Sequence, residues 1–237
     1  VILFVAGTDG GVGKTTIAAA LVRRLRAIGK DAIGMKPIET GCPYGPDQDL
    51  VGPDGETLHV AAHRSAPPLV VSPYRLPSRA DPAEALERAG IELELDDLVH
   101  AVEAAQRFSE VLVVESTGGA LAPLVHDGLG LDLAERLGAS VIVVAPDALG
   151  SASAVILILE ALRRRALNIA GVLLTRLHDG AHPETGTERL VRERGGAQVF
   201  PIVPFIEGDE KARILGVEAH LAAHRIAEAL LEAGGRP

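Results

Sequence analysis

Residues 7–16 read GTDGGVGKTT. A glycine-rich turn that closes on Lys-Thr is suited to hold a phosphate chain. Gly10, Gly11 and Gly13 permit backbone conformations with φ above zero and turn successive N–H groups inward. Those amides and the N-terminus of a following helix make a partly positive cradle for phosphate oxygens. Lys14 adds a full charge near the β- and γ-phosphates, and Thr15 offers a hydroxyl to Mg²⁺. Thr8, Asp9, Val12 and Thr16 complete the run expected to wrap the nucleotide. The strict phosphate-loop pattern is missed by one place: Thr8 stands five before Gly13, and the glycine is one earlier, at Gly7.

Further along, Lys36 precedes Pro37, Thr40 follows shortly, and Glu115 ends an apolar run before the Gly118-Gly119 pair. These residues need elements to bring them to the loop. Residues 1–6 are apolar and β-branched, as in a buried parallel strand, and residues 17–28 carry apolar residues at helical spacing. Strand, glycine-rich turn and helix are the setting a phosphate loop requires. Residues 30–35 read as the second strand, stopped by Pro37. Residues 43–55 read as a loop rich in Pro, Gly and Asp, and residues 56–63 as a short helix. Residues 66–79 hold four prolines and are expected to be irregular. A helix should begin at Pro82 with Asp81 as its cap.

The pattern then gives a helix over 96–108, a strand over 110–114, a helix over 131–137, a strand over 140–145 and a helix over 151–165. A strand over 170–174, a helix over 183–194, a short strand over 198–202 and a C-terminal helix over 217–231 complete the chain. Strand and helix alternate without repeat or linker, so the expectation is one domain over 1–237. Its fold class is α/β, a doubly wound, mainly parallel sheet with helices on both faces. In such sheets ligands bind at the C-terminal ends of strands, where Lys36, Thr40 and Glu115 fall.

Composition agrees. The 237 residues are 47% hydrophobic but only 3% aromatic, so the core must be aliphatic. The net charge of −9 argues against a general nucleic-acid or anionic-membrane surface. Cys42 is the single cysteine, which excludes an intrachain disulfide and a CxxC metal site. No apolar run reaches transmembrane length, and the first residues read as strand rather than leader, so a cytoplasmic location is expected.

The GGVGKT core resembles the deviant P-loops of the ParA and nitrogenase-iron-protein class, with Asp9 where that class has its signature lysine. Taken with KPIETG, SPYRLPSRADP, VVESTGG and APDALGS in this order, the chain resembles dethiobiotin synthases over residues 1 to 206. The resemblance implies an ATP- and Mg²⁺-dependent cyclo-ligase. It carboxylates 7,8-diaminopelargonic acid with CO₂ and closes the ureido ring, through a carbamate and a carbamic-phosphoric anhydride. It also implies a homodimer.

In that reading Lys14 and Lys36 approach the developing charge from two sides, and Thr40 bonds the carbamate. Glu115 and Thr15 hold Mg²⁺, with Glu56 aligning best as the second carboxylate and Asp54 and Asp49 as rivals. Ser116, Thr117, Gly118 and Gly119 stand where the family commonly reads GAGG and face substrate or phosphate. Gly150, Ser151, Ala152 and Ser153 open a helix whose amides receive the substrate carboxylate across the dimer, although the family's usual Asn and His are absent there. Thr175 replaces an Asn at the adenine, and Val203, Pro204 and Phe205 line the base pocket.

Two other readings use the same loop. A ParA/MinD-like partitioning switch is weakened by Asp9 and by the acidic charge. A related amidoligase, such as a cobyrinic-acid diamide synthase, would usually bring a glutaminase domain with a reactive cysteine, and Cys42 is misplaced for that. The pairs His59/His63 and His220/His224 have i, i+4 spacing but no third ligand, and read as solvated helix faces.

Overall fold

In the computed structural model, which describes residues 1–179 and 186–235, the apolar runs become a five-stranded parallel sheet. In chain order the elements are β1 (Ile2–Gly7), α1 (Lys14–Ala27), β2 (Ala32–Met35), β3 (Ile38–Thr40), α2 (Pro53–Ala61), α3 (Pro68–Val71), β4 (Tyr74–Leu76), α4 (Pro82–Ala89) and α5 (Leu95–Ala105). Then come β5 (Val111–Glu115), β6 (Pro123–Val125), β7 (Gly128–Leu129), α6 (Gly130–Arg136), β8 (Ser140–Pro146), α7 (Ser151–Arg164), β9 (Ile169–Thr175), α8 (Thr187–Leu190), α9 (Glu210–Ala223) and α10 (Ile226–Gly234). The main sheet runs β2-β5-β1-β8-β9.

Its strands read as continuous Val, Ile, Leu and Ala because helices cover both faces. Leu3, Phe4, Val5, Val113, Val114, Ile142, Val143 and Val144 are fully buried in one core. Each such side chain contributes about 1.5–3 kcal/mol. Burial thus holds the strand ends in register: Val5 lies beside Glu115, and Gly7 beside Val144. The connection leaving β1 runs to β2 on one side, and that leaving β8 runs to β9 on the other. The crevice between them is the ligand position of open α/β sheets.

The departures from expectation lie outside that frame. The proline-rich stretch contains α3 and β4, and β4 pairs in parallel with β3. Asp81 stands before α4 but makes no side-chain capping bond. The expected last strand is reduced to the isolated bridges Val172 to Val199 and Thr175 to Val203. The C-terminal helix is two helices, broken where Arg225 takes φ 51°. Of the helix expected over 183–194, residues 183–185 lie outside the described residues, and α8 with a π-turn over Val191–Gly195 fills the remainder. Among the described residues no helix is long and apolar enough to cross a membrane.

Candidate active site

The loop between β1 and α1 folds around two left-handed glycines, Gly11 at φ 72° and Gly13 at φ 94°. Gly13 is the N-cap of α1, so the helix's free amides open into the loop. Lys14 arches back across it, and its ammonium donates to the Asp9 carbonyl at 2.7 Å. Gly7 leaves room for this arch, since a Cβ there would sit 2.9 Å from Lys14 Cδ. The Asp9 carboxylate accepts from the Gly10 amide at 2.6 Å, and Thr8 donates its amide to Val144. Val12 points into the core.

Two other strand ends, those of β2 and β5, converge on the loop. Thr15 donates its hydroxyl to Glu115 Oε1 at 2.8 Å, and Lys36 Nζ donates to the same oxygen at 2.9 Å. Lys36 also pairs with Asp54, in the first turn of α2. Glu115 is 1% exposed and its Oε2 is buried without a partner. An orphaned carboxylate oxygen beside a threonine hydroxyl and a second carboxylate is a donor set of hard oxygens, which fits Mg²⁺ with phosphates completing its shell.

The charges on the two lysines are tuned in opposite directions. Burial pulls the Lys14 ammonium below the ordinary lysine value, against the opposing field of Glu115, and the nearby charge of Lys36 adds to the lowering. Burial also acts to lower Lys36, but the carboxylates of Glu115 and Asp54 outweigh it and hold its pKa above the ordinary value. Beneath them Glu39, also buried, has its carboxyl pushed up by desolvation, in part offset by the backbone amide of Asp54.

Lys14, Thr15, Lys36, Asp54 and Glu115 share one cavity of about 550 Å³. Gly10, Gly11, Gly13, Lys14, Thr15, Thr16, Lys36, Thr40, Glu115, Thr117, Gly118 and Thr175 line it, and Val203, Pro204 and Phe205 form its far wall. Several expected residues lie elsewhere. Glu56 is turned to the surface, where its carboxylate meets Arg64 at 2.7 Å, and Asp54 stands at Lys36 instead. Ser116 is buried facing Gly130, whose absent side chain leaves it space. Gly119 packs on the Thr8 carbonyl, and the Thr117 hydroxyl is spent on the carbonyl of Ile38. Gly150, Ser151, Ala152 and Ser153 open α7 but do not line this cavity. Thr175 bonds the Val12 carbonyl at 2.9 Å, so its hydroxyl serves the loop.

The histidine pairs also differ from a solvated face: His59 is buried, whereas exposed His63 follows α2, and His220 Nε2 lies 3.2 Å from the Pro201 carbonyl. Among the described residues no group of three or more His, Cys, Asp or Glu side chains is arranged to hold a metal. Sequence reasoning missed the cavity-lining charges of Arg79, Asp81, Arg176, Glu210 and Arg213. Arg79 and Asp81 stood within the quoted SPYRLPSRADP stretch, which was a usable signal; the others carry none.

Comparison with known proteins gives a consistent picture. A sequence family described as an AAA domain matches residues 2–213. The ATP-dependent dethiobiotin synthetase BioD of Anaeromyxobacter dehalogenans is 42% identical over 174 residues, 73% of this chain and 76% of that protein. The BioD protein of Aromatoleum aromaticum is 31% identical over 89% of this chain and 93% of its own length. Among solved structures, the MinC:MinD cell division complex of Aquifex aeolicus superposes with a TM-score of 0.58 at 14% identity, covering 100% of this chain and 96% of that one. At that identity the likeness is one of fold.

Proposed function

The chain belongs to the ATP-dependent dethiobiotin synthetase family, and on that premise we propose how the residues at its sheet edge carry out the family's reaction. The substrates are 7,8-diaminopelargonic acid, CO₂ and ATP. One amine adds to CO₂ and releases a proton, giving a carbamate. A carbamate oxygen attacks the γ-phosphorus, ADP leaves, and a carbamic-phosphoric anhydride forms. The second amine attacks the carbonyl carbon, and phosphate leaves with the bridging oxygen. Loss of the amine proton completes the ureido ring of dethiobiotin.

The observation that carries this reading is the pair of buried ammonium groups, Lys14 from the loop and Lys36 from the end of β2, facing one cavity that Glu115 also lines. Negative charge grows on the carbamate and the transferring phosphoryl group, so catalysis needs fixed cations more than a covalent nucleophile. An ammonium has three donors. Lys36 gives two of them to Asp54 and Glu115 and keeps the third for the carbamate. Thr40, on the same wall, supplies a second donor.

Thr15, Asp54 and Glu115 are the residues that would hold Mg²⁺, which when bound would offset the negative charge of the nucleotide phosphates. Loop amides and Lys14 hold the phosphates, and Val203, Pro204 and Phe205 pack on the base. The described residues share one core, in keeping with a single P-loop domain.

A homodimer accounts for Gly150, Ser151, Ala152 and Ser153, which serve the partner's cavity rather than their own. Leu149 and Leu157, 91% and 64% exposed beside and on α7, supply an apolar patch for that contact. No nucleic acid or membrane partner enters the reaction. A cytoplasmic site suits an ATP-consuming step and the free, buried thiol of Cys42.

The test is phosphate release with ATP, Mg²⁺ and bicarbonate, with and without the diamine, and the product identified by mass. Diamine-dependent phosphate with dethiobiotin formed is the expected result. Phosphate release indifferent to the diamine would favour a switch ATPase of the MinD type.

A further inference from the structure

Glu39 stands next to Thr40 in β3 and is 2% exposed, yet it does not line the cavity. Its carboxylate is turned to the start of α2. Oε1 accepts the Asp54 amide at 2.7 Å, and Oε2 accepts the Gly55 amide at 3.1 Å and the Ser72 hydroxyl at 3.3 Å. These are amides of the helix's first turn, which have no partner within a helix. The N-cap residue is Gly52, which has no side chain to cap them. A carboxylate at this end also complements the helix dipole.

The surroundings are shaped for it. A Cβ on Gly52 would collide with Glu39 Oε2, and a Cβ on Gly55 would collide with Ser72. The clasp therefore grips the backbone of the residue whose own carboxylate meets Lys36.

We propose that Glu39 is a positioning residue: by holding the first turn of α2 from below, it fixes the Asp54 carboxylate for Mg²⁺ and for Lys36. The inference rests on the metal site read above and adds a residue that never touches the metal. Partners one bond removed from a metal ligand typically change metal affinity by about ten- to a hundredfold when lost.

The experiment measures ADP binding to the full chain by calorimetry, first in EDTA and then across a Mg²⁺ titration. Glu39→Ala should leave metal-free ADP affinity unchanged and lower Mg²⁺ affinity of the ADP complex by about tenfold. Glu39→Gln keeps an acceptor oxygen for one amide but sets a donor against the others, and should recover only part of that loss. Asp54→Asn should lower Mg²⁺ affinity by itself, and adding Glu39→Ala should cost nothing more. Should Glu39→Ala fail to fold, Ser72→Ala and Glu39→Gln give the same comparison at smaller amplitude. Unchanged Mg²⁺ affinity in the folded variants, or full additivity with Asp54→Asn, overturns the proposal. A parent whose ADP affinity ignores Mg²⁺ overturns the metal site itself, which is a separate failure.

Discussion

Lys14 and Lys36 are both buried ammonium groups, but their neighbours divide their work. Lys14 lies on the loop's own carbonyl, as a group does that waits for phosphate. Lys36 is clamped between two carboxylates. Lys14→Ala should therefore abolish ATP turnover at saturating nucleotide. Lys36→Ala should keep ADP binding in calorimetry yet lower dethiobiotin formation by about a hundredfold or more. The folded pKa of Lys36 is raised, so the stability its pairing contributes is fully present below its unfolded value of 10.5 and is lost only as pH rises through the folded one. The gap in urea midpoint between the parent and Lys36→Met should accordingly stay constant between about pH 6 and 9. Spacing alone left Asp49, Asp54 and Glu56 as rivals because it did not fix where α2 begins. With Pro53 as the first helical residue, Asp54 turns to the cavity, and Glu56, about 200° further round, turns to Arg64. Asp54→Asn should raise the Mg²⁺ requirement of the reaction by about tenfold, whereas Glu56→Gln should leave it within about twofold.

At the scale of elements, close packing between β2 and α2 transmits strand position to Asp54. A Cβ on Gly34 would lie 2.8 Å from Leu58 Cδ2 and 3.0 Å from Leu58 Cβ, so the helix rests directly on the strand. Gly34→Ala should lower unfolding stability in urea by about 1–3 kcal/mol and raise the Mg²⁺ requirement together with it. The central strands and most of α1 were legible because a fully buried parallel strand needs an unbroken apolar run, and because residues 17–28 carry helical spacing; the first turn of α1, from Lys14, lay inside the glycine-rich motif. The pair β3 and β4 was not: three residues each, bounded by prolines, they leave too little periodicity to read. The break at Arg225 was equally silent, since arginine is an ordinary helix former and gives no sign of the left-handed φ it takes between α9 and α10.

For the whole molecule, the sheet order brings residues from positions 14, 36, 54, 115 and 175 to one edge. The sequence pattern was enough to place most of these at strand ends, but not to say which faced inward; Ser116 and Gly119 needed three dimensions. Assembly is the step beyond the single chain. Leu149→Asp with Leu157→Asp should convert a dimer to a monomer in light scattering and weaken diamine binding while metal-free ADP binding persists. The chemistry itself is tested most directly by following oxygen. With ¹⁸O-labelled bicarbonate, freshly mixed with the diamine, ATP and Mg²⁺, the attacking carbamate oxygen must pass to the phosphate that leaves. One ¹⁸O in the released phosphate, with dethiobiotin formed in equal amount, is the expected result. Unlabelled phosphate would mean that water, not a carbamate, attacks the nucleotide, and would contradict the reaction assigned to this site.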